Sequence, residues 1–538
     1  MNATRNAAAR RAEPPLKRRE LFMEQRLKSF LQDQSVRWTL LASLITAAAA
    51  YSYGMLNNIV NYDTIFNIPN VTGGGEASGR WALGLLTRLT ERFRIGYSLP
   101  FFNTLVSLLL VALSAILICR ILRLSAPRAC ALTGIVTMSF PAVASMTFFS
   151  FTMPYYALAL VLITAACLLV ERRRKPVWFL LYSLLLAFAV GVYQAFYPFA
   201  VMLAVLAVIT ECLDPKATPQ AVLKQGLFYV GAILLSYLLY RLGLKAMLAA
   251  TGRKLTAYQG IDQMGQIDLA RLPGMLRDMY RHFFLLFTHD YLSLTSEPIT
   301  RLCVLVLQAG SALLLVLGWR EKNRLKRLEL AVLLLVALPI ASNLIILMVP
   351  DGTIYTLMAM GLLSVFLLPV LLWDRLRIPR PKLRRICGAA LTALLLLTSL
   401  EYVYQSNGCY RVLEWHNIQT ENYYTTLFTR IKVMEGYDEN YPVIFSGAVI
   451  SDASYHDPWS DTVFHYGGVR QFDSPDPENN GFNEFSRDHF IRSYLGYTAR
   501  QIRSSEKKQY SDVLAQMRTY PNDGSIRIVN GVILVKFE

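Results

Sequence analysis

Charged residues are scarce in this chain. Only 17% of its 538 residues are Asp, Glu, Lys or Arg, whereas 54% are hydrophobic and the mean hydropathy is +0.35. A soluble globular domain carries about 25% charged residues. The composition therefore excludes an ordinary soluble protein and indicates an integral membrane protein.

Residues that form disulfides and metal sites are also few. The chain has seven cysteines and six histidines, with no Cys-x-x-Cys pair and no His-x-x-x-His spacing. Six cysteines lie in or beside apolar segments, and only Cys409 falls in the polar C-terminal part. We therefore expect no disulfide framework, no structural zinc site and no cofactor, although a divalent metal is compatible with the sequence.

Long apolar runs dominate what is present. About eleven of them are long enough to cross a hydrocarbon core of roughly 30 Å as helices. They predict a mostly α, polytopic membrane protein. The runs are 38–56, 99–118, 129–148, 155–170, 177–190, 193–210, 227–248, 302–319, 328–348, 357–373 and 386–404.

The net charge of +17 has a topological explanation. Many basic residues lie in the N-terminal tail and in the short links 119–128, 171–175, 319–327 and 373–385. Eleven crossings from a cytoplasmic N-terminus place all four links on the cytoplasmic side, as the positive-inside rule requires. The basic residues then lie next to the lipid bilayer, and we expect no nucleic-acid partner.

The same count divides the chain into three parts. Residues 1–36 form a basic cytoplasmic tail with an interfacial helix, and residues 37–404 form the transmembrane domain with outer loops 57–98 and 249–300. Residues 405–538 are polar and aromatic. We expect them to form a small extracytoplasmic α/β domain, with strands in 442–450 and 525–537.

The first outer loop carries two acids. Asp63 follows the end of the first apolar run, close to Asn61, and Glu76 lies in the glycine-rich stretch GGGEASG. Next to it, Arg80 and Trp81 open an amphipathic pattern that predicts a helix lying flat at the membrane interface. This loop is where we expect the chemistry of a membrane enzyme.

Several short motifs occur in a recognisable order. YSYG ends the first apolar run, Asn and Asp follow, SGRW opens the amphipathic helix after the glycine-rich link, and GVYQ, which contains Tyr193 and Gln194, forms a later outer turn. Over residues 37–404 this order resembles the O-antigen glucosyltransferase II type of bacterial membrane glucosyltransferase. No motif in residues 405–538 contributes to the resemblance.

The resemblance implies a GT-C-like fold and a function in the bacterial cytoplasmic membrane. Such an enzyme moves a hexose, glucose in the named family, from a polyprenyl-phosphate-linked donor to a cell-surface glycan on the outer face. An acid in the first outer loop is then essential, and both Asp63 and Glu76 qualify. Asp63 is our first choice of catalytic base and Glu76 the second.

Glycosyl transfer also needs cationic or polar groups that bind the substrates and the departing phosphate. The candidates from the outer loops and turns are Asn61, Arg80, Trp81, Tyr193, Gln194, Arg253, Lys254 and Arg281. The aromatic stretch 148–156, between the third and fourth apolar runs, is typical of an interfacial belt. The alternative is that these aromatic side chains contact an isoprenoid chain.

Two other functions fit the same topology. A transporter or flippase of lipid-linked sugars should carry ionisable or broken-helix sites near mid-membrane, whereas here the polar residues collect in outer loops. A glycan polymerase would use the same geometry as a glucosyltransferase. We therefore favour the transferase and keep both as alternatives.

Overall fold

The computed structural model describes residues 32–66, 75–92, 99–172, 176–256, 269–318, 325–348, 352–447 without 377 and 379, 459–467, 480–499, and 502–537 without 503. The described part is mostly helical, as predicted. Most of the predicted N-terminal tail, and parts of both outer loops, lie outside these residues.

The described residues contain twenty helices of the α type, in chain order. They are α1 (Gln34–Leu56), α2 (Tyr62–Phe66), α3 (Trp81–Arg92), α4 (Pro100–Ile121), α5 (Pro127–Ser139), α6 (Pro141–Thr147), α7 (Met153–Arg172), α8 (Pro176–Val192), α9 (Tyr197–Cys212), α10 (Pro219–Thr251), α11 (Leu272–Leu285), α12 (Pro298–Gly318), α13 (Leu325–Ser342), α14 (Ile345–Met348), α15 (Ser364–Arg375), α16 (Pro381–Lys432), α17 (Ser460–Gly467), α18 (Asn480–Leu495), α19 (Ser504–Lys507) and α20 (Ser511–Gln516). Short 3-10 turns at Glu76–Ser78, Gln194–Phe196 and Thr356–Leu363 precede α3, α9 and α15.

Seven helical segments in the described residues are long and apolar enough to cross a membrane, or eight if the bent pair α5 and α6 is one span. Three further apolar helices are shorter, at Met153–Leu169, Pro176–Val192 and Glu329–Ser342. The prediction of a mostly helical protein is thus confirmed, with seven candidate spans in the described residues. The total of about eleven stays a prediction.

The spanning helices form a bundle with a buried centre and an apolar outside. Helices α9 and α15 are almost wholly buried, whereas α10 and α12 expose rows of leucine and valine. A helix that is apolar all round belongs inside, and exposed apolar rows suit contact with lipid tails. Small residues allow close packing inside: a Cβ added to Gly134 of α5 would lie 2.6 Å from the Thr39 carbonyl oxygen of α1.

The last helix of the bundle continues far beyond it. Helix α16 has 52 residues, which at about 1.5 Å per residue is roughly 78 Å, more than twice the thickness of a hydrocarbon core. Its second half packs against a small three-stranded sheet in the order β1 (Val443–Ser446), β3 (Val532–Lys536), β2 (Ile526–Val529). Strand β1 is parallel to β3, and β2 is antiparallel to β3. Both segments predicted as strands therefore form strands.

The C-terminal residues also cover helix α2. Val60 and Ile65 are buried in one apolar cluster with Tyr424 and Leu427 of α16 and Phe490 of α18. Asn417 of α16 donates a hydrogen bond to the Val60 carbonyl at 3.1 Å. The core of the C-terminal part is thus completed by the first loop after α1.

Candidate active site at the end of the first helix

Asp63 is held on a short helix whose start is fixed by Asn61. The Thr64 amide donates to the Asn61 side-chain oxygen at 2.8 Å, which is the capping contact typical of asparagine before a helix. Asn61 is fully buried, and the Thr64 hydroxyl donates to the Phe148 carbonyl at 3.2 Å. These contacts fix α2 against the segment that follows α6.

The Asp63 carboxyl lies in a weakly solvated place. Burial raises its pKa from 3.8 to about 6, and the positive charge of Arg80 opposes that rise. The residue keeps a partly exposed surface. A carboxyl of this pKa is largely ionised at neutral pH and still binds a proton readily, which suits a general base.

Arg80 is held by two aromatic side chains. Its Nη1 donates to the Tyr156 hydroxyl at 3.0 Å, and its guanidinium carbon lies 5.1 Å from the centre of the Tyr193 ring. The two tyrosine rings are stacked with their centres 4.4 Å apart. Both tyrosines are buried, at 2% and 3% exposure. The Tyr193 ring therefore offers a fixed surface to the Arg80 guanidinium.

This burial corrects the prediction of an interfacial belt. Phe148, Phe151 and Tyr156, which the sequence placed at the membrane surface, are inside the protein. The physical reason is that distant parts of the chain pack on them, which a local aromatic pattern does not reveal. Tyr410 and Tyr466 meet Phe148, and Tyr193 and Phe196 meet Tyr156.

The turn before Arg80 is fixed by two distant residues. Gln194 Nε2 donates to the Ser78 carbonyl at 2.7 Å, and the Tyr240 hydroxyl of α10 donates to the Gly79 carbonyl at 3.1 Å. Gly79 has a φ of +75°, and a Cβ there would lie 2.5 Å from Gln194 Nε2. A glycine is therefore required for the turn to present Arg80 in this place.

Trp81 anchors the helix that follows. Its ring packs between Gly191 of α8 and Gly243 of α10, where an added Cβ would come within 2.7 and 2.8 Å of ring atoms, and it meets Phe188 edge-on at 5.9 Å. On the other side of α3, Leu85 and Leu89 are exposed, as an interfacial helix requires.

Glu76 is placed very differently from Asp63. Its side chain is buried and pairs with Arg88 of α3 and, at 3.2 Å, with Arg253 after α10. Gly84 leaves room for it, since a Cβ there would lie 2.8 Å from a Glu76 oxygen. The carboxylate therefore connects α3 to the end of α10.

The remaining predicted residues are the three cations Arg253, Lys254 and Arg281. Lys254 and Arg281 are exposed, and within the described residues neither forms an ion pair. Arg253 contributes through Glu76. Among the parts of the chain that the structure describes, no group of three or more His, Cys, Asp or Glu side chains could hold a metal ion.

Comparison with known proteins gives one match. The family model described as glucosyl transferase GtrII matches residues 52–367, which is more than half of the chain. The chain belongs to the GtrII glucosyl transferase family. No curated protein and no solved structure matches it.

Membership of the GtrII family confirms the resemblance drawn from the motifs. The matched range contains Asp63, Arg80, Tyr156 and Tyr193, together with Glu76 and its two arginines. It ends before α16, so the C-terminal residues that cover α2 lie outside it. The chain is therefore a glucosyl transferase by family, and the candidate site lies in the matched part.

Sequence reasoning identified Asp63 and Arg80 but not Tyr156. Asp63 and Arg80 stand out because they are polar residues beside an apolar run. Tyr156 lies on α7, and only the packing of α7 against the Glu76–Arg80 turn brings its hydroxyl to Arg80. Together, a carboxyl with a pKa of about 6 and a fixed guanidinium can accept a proton and stabilise a developing negative charge.

Proposed function

We propose that this chain transfers glucose from a polyprenyl-phosphate-linked donor to a cell-surface glycan, with Asp63 as general base. The GtrII family supports glucosyl transfer in general. The observation that carries the assignment to Asp63 is its weakly solvated carboxyl, which has a pKa of about 6 and lies within the electrostatic influence of Arg80.

The proposed step is a displacement at the anomeric carbon. The acceptor hydroxyl oxygen forms a bond to that carbon as the bond to the donor phosphate oxygen breaks. The hydroxyl proton passes to Asp63, and the electron pair leaves with the polyprenyl phosphate. Arg80 stabilises the charge that develops on the phosphate, since a fixed guanidinium suits phosphate oxygens.

Asp63 suits this role better than Glu76. A base must be ionised when the acceptor arrives and must then bind the proton, and a pKa of about 6 allows both near neutral pH. Glu76 already satisfies two arginines, and proton uptake would break those ion pairs. We infer that Glu76 holds the loop in shape while Asp63 reacts.

The proposed setting is the outer face of the bacterial cytoplasmic membrane. The basic links between apolar runs support a cytoplasmic N-terminus and an extracytoplasmic C-terminal part. A reporter that is active only in the cytoplasm, fused after Glu538, should stay silent. Activity of that fusion would reverse the proposed orientation.

The donor class is tested with the purified protein in lipid vesicles. It receives labelled glucose on a polyprenyl phosphate, together with surface glycan from cells that lack the protein. We expect label to pass to the glycan, and we expect no transfer from a nucleotide sugar. Transfer from the nucleotide sugar would overturn the proposed donor.

Two outcomes of the same assay favour the alternatives. Label that crosses the bilayer and stays on its lipid indicates a flippase or transporter. Label that appears in lengthened glycan chains, and not as single glucose residues on existing chains, indicates a polymerase. Mass analysis of surface glycans and teichoic acids, from cells with and without the protein, identifies the natural acceptor.

A further inference from the structure

Tyr156 contacts both Arg80 and Tyr193 in the candidate site. It lies on α7, and its hydroxyl accepts a hydrogen bond from Arg80 Nη1 at 3.0 Å while its ring stacks on Tyr193 at 4.4 Å. Phe196 closes the group edge-on, with its ring centre 6.1 Å from Tyr156 and 5.0 Å from Tyr193. All three aromatic side chains are buried.

This arrangement restrains a flexible side chain. An arginine side chain loses rotamer entropy when it is fixed in one position. A cation–π contact and a hydrogen bond from a charged group both oppose that loss. The contacts to Tyr156 and Tyr193 therefore favour one position of Arg80 before a substrate binds.

We propose that Tyr156 is a positioning residue for sugar transfer: its hydroxyl and the Tyr193 ring together hold the Arg80 guanidinium beside Asp63. The inference rests on the proposed function. Tyr156 acts through Arg80 and does not itself react.

The effect of Tyr156 on Arg80 can be measured through the pKa of Asp63, which depends on the charges around it. Helix α18 packs against α2, and its described side chains include Arg487, Asp488, His489 and Arg492. Around Asn417, which binds the Val60 carbonyl, α16 carries Arg411, Glu414, His416 and Glu421. The charge that moves the Asp63 pKa is Arg80, and it moves the pKa downward. Release of Arg80 should therefore raise the Asp63 pKa and weaken the base at acidic pH.

The test compares Tyr156→Phe with Tyr155→Phe. The first change removes the hydroxyl that binds Arg80 and keeps the ring stack. The second removes a neighbouring buried hydroxyl that lies 2.6 Å from Thr90 on α3 and is not bonded to Arg80. Each variant and the wild type are assayed for glucose transfer from the polyprenyl-phosphate donor at pH 6 and pH 8.

The readout is the ratio of the rate at pH 8 to the rate at pH 6, because a general loss of folded protein leaves this ratio unchanged. A base with a pKa near 6 gives a ratio of about 2 in the wild type. We expect Tyr155→Phe to keep that ratio. A rise of about one pH unit in the Asp63 pKa gives a ratio of about 10, which we expect for Tyr156→Phe.

Tyr193→Leu removes the aromatic ring that contacts the Arg80 guanidinium. It should also raise the ratio of the rate at pH 8 to the rate at pH 6. An unchanged ratio in Tyr156→Phe, with normal transfer by the wild type, overturns the inference and leaves the proposed function standing. A wild-type protein that transfers nothing from the polyprenyl donor overturns both.

Discussion

Asp63 and Glu76 lie in the same stretch between α1 and α4, yet their surroundings differ. Asp63 lies within the electrostatic influence of Arg80, which is itself held by two tyrosines, and burial raises the Asp63 pKa to about 6. Glu76 is buried against two arginines whose side chains are about half exposed, at 51% and 59%. One carboxyl is poised to gain a proton, and the other serves as a connection.

The comparison teaches that burial alone does not identify a catalytic acid. A buried carboxylate with two opposite charges is satisfied, and proton uptake would cost those interactions. A weakly solvated carboxylate whose pKa is raised gains and loses a proton near neutral pH. The surroundings of the two acids therefore favour Asp63 over Glu76 as the proposed base.

The largest expected effect is that of Asp63→Asn. It keeps size and shape and removes the base, so we expect glucose transfer to fall by about a hundredfold to ten-thousandfold. The ionised carboxylate is disfavoured in the folded protein above pH 6, because its pKa is raised. The thermal unfolding temperature at pH 7.5 should therefore be unchanged or higher.

Asp278→Asn on α11 serves as the control for this change, because Asp278 is an exposed aspartate whose neighbour is Arg277 at 3.8 Å. It should leave transfer unchanged. Near-normal transfer by a folded Asp63→Asn protein would move the catalytic role away from Asp63.

Arg80→Gln should have the next largest effect. Loss of the guanidinium removes the charge near the departing phosphate, and we expect kcat/KM for the donor to fall by about tenfold to a thousandfold. Arg80→Lys keeps the charge but not the planar contacts to Tyr156 and Tyr193, so it should restore only part of the activity. Equal activity of the Lys variant and the wild type would contradict a role for those contacts.

A smaller effect is expected from the C-terminal cover. Phe490 of α18 is fully buried beside Ile65 of α2, and Phe490→Ala should lower the free energy of unfolding by about 3–5 kcal/mol. We expect a severalfold loss of transfer at growth temperature, because α2 and Asp63 lose their support. Ile491→Val, a milder change in the same cluster, is the matched control. Full activity of Phe490→Ala would show that transfer does not depend on the support of α2 by the C-terminal residues.

Glu76→Gln should have the smallest effect on transfer. Arg88 and Arg253 are exposed enough to be solvated when their partner becomes neutral, so we expect a loss of about 1 kcal/mol in stability and less than threefold in rate. Thermal unfolding and transfer at pH 7.5 measure both. A hundredfold loss of rate in a stable Glu76→Gln protein would reverse the assignment of the two acids.

Much of the fold follows from the sequence because lipid imposes a simple rule on it. Each spanning segment must be apolar and helical, so local patterns predict these helices. Outside the bundle, local patterns also predict the segments that contain β1, β2 and β3. Asp63 and Arg80 were readable for the same reason, since polar residues next to apolar runs stand out. The break between α5 and α6 was not, because Pro141 occurs inside an otherwise continuous apolar run.

The contacts that give these residues their roles depend on packing between distant parts of the chain. Glu76 and Arg253 are separated by 177 positions, and Arg80 and Tyr156 by 76. No local period relates such pairs. The sequence predicts a surface belt for the aromatic stretch containing Tyr156, because a local aromatic pattern does not distinguish a lipid-facing ring from one covered by another segment.

The pH dependence of kcat/KM in the wild-type protein tests the central claim most directly. Glucose transfer from the polyprenyl-phosphate donor is measured between pH 5 and pH 8, where kcat/KM reports the ionisation of the free enzyme. With Asp63 as base, kcat/KM should be level above pH 7 and fall through a midpoint near pH 6. A rate that stays level down to pH 5 would contradict the account.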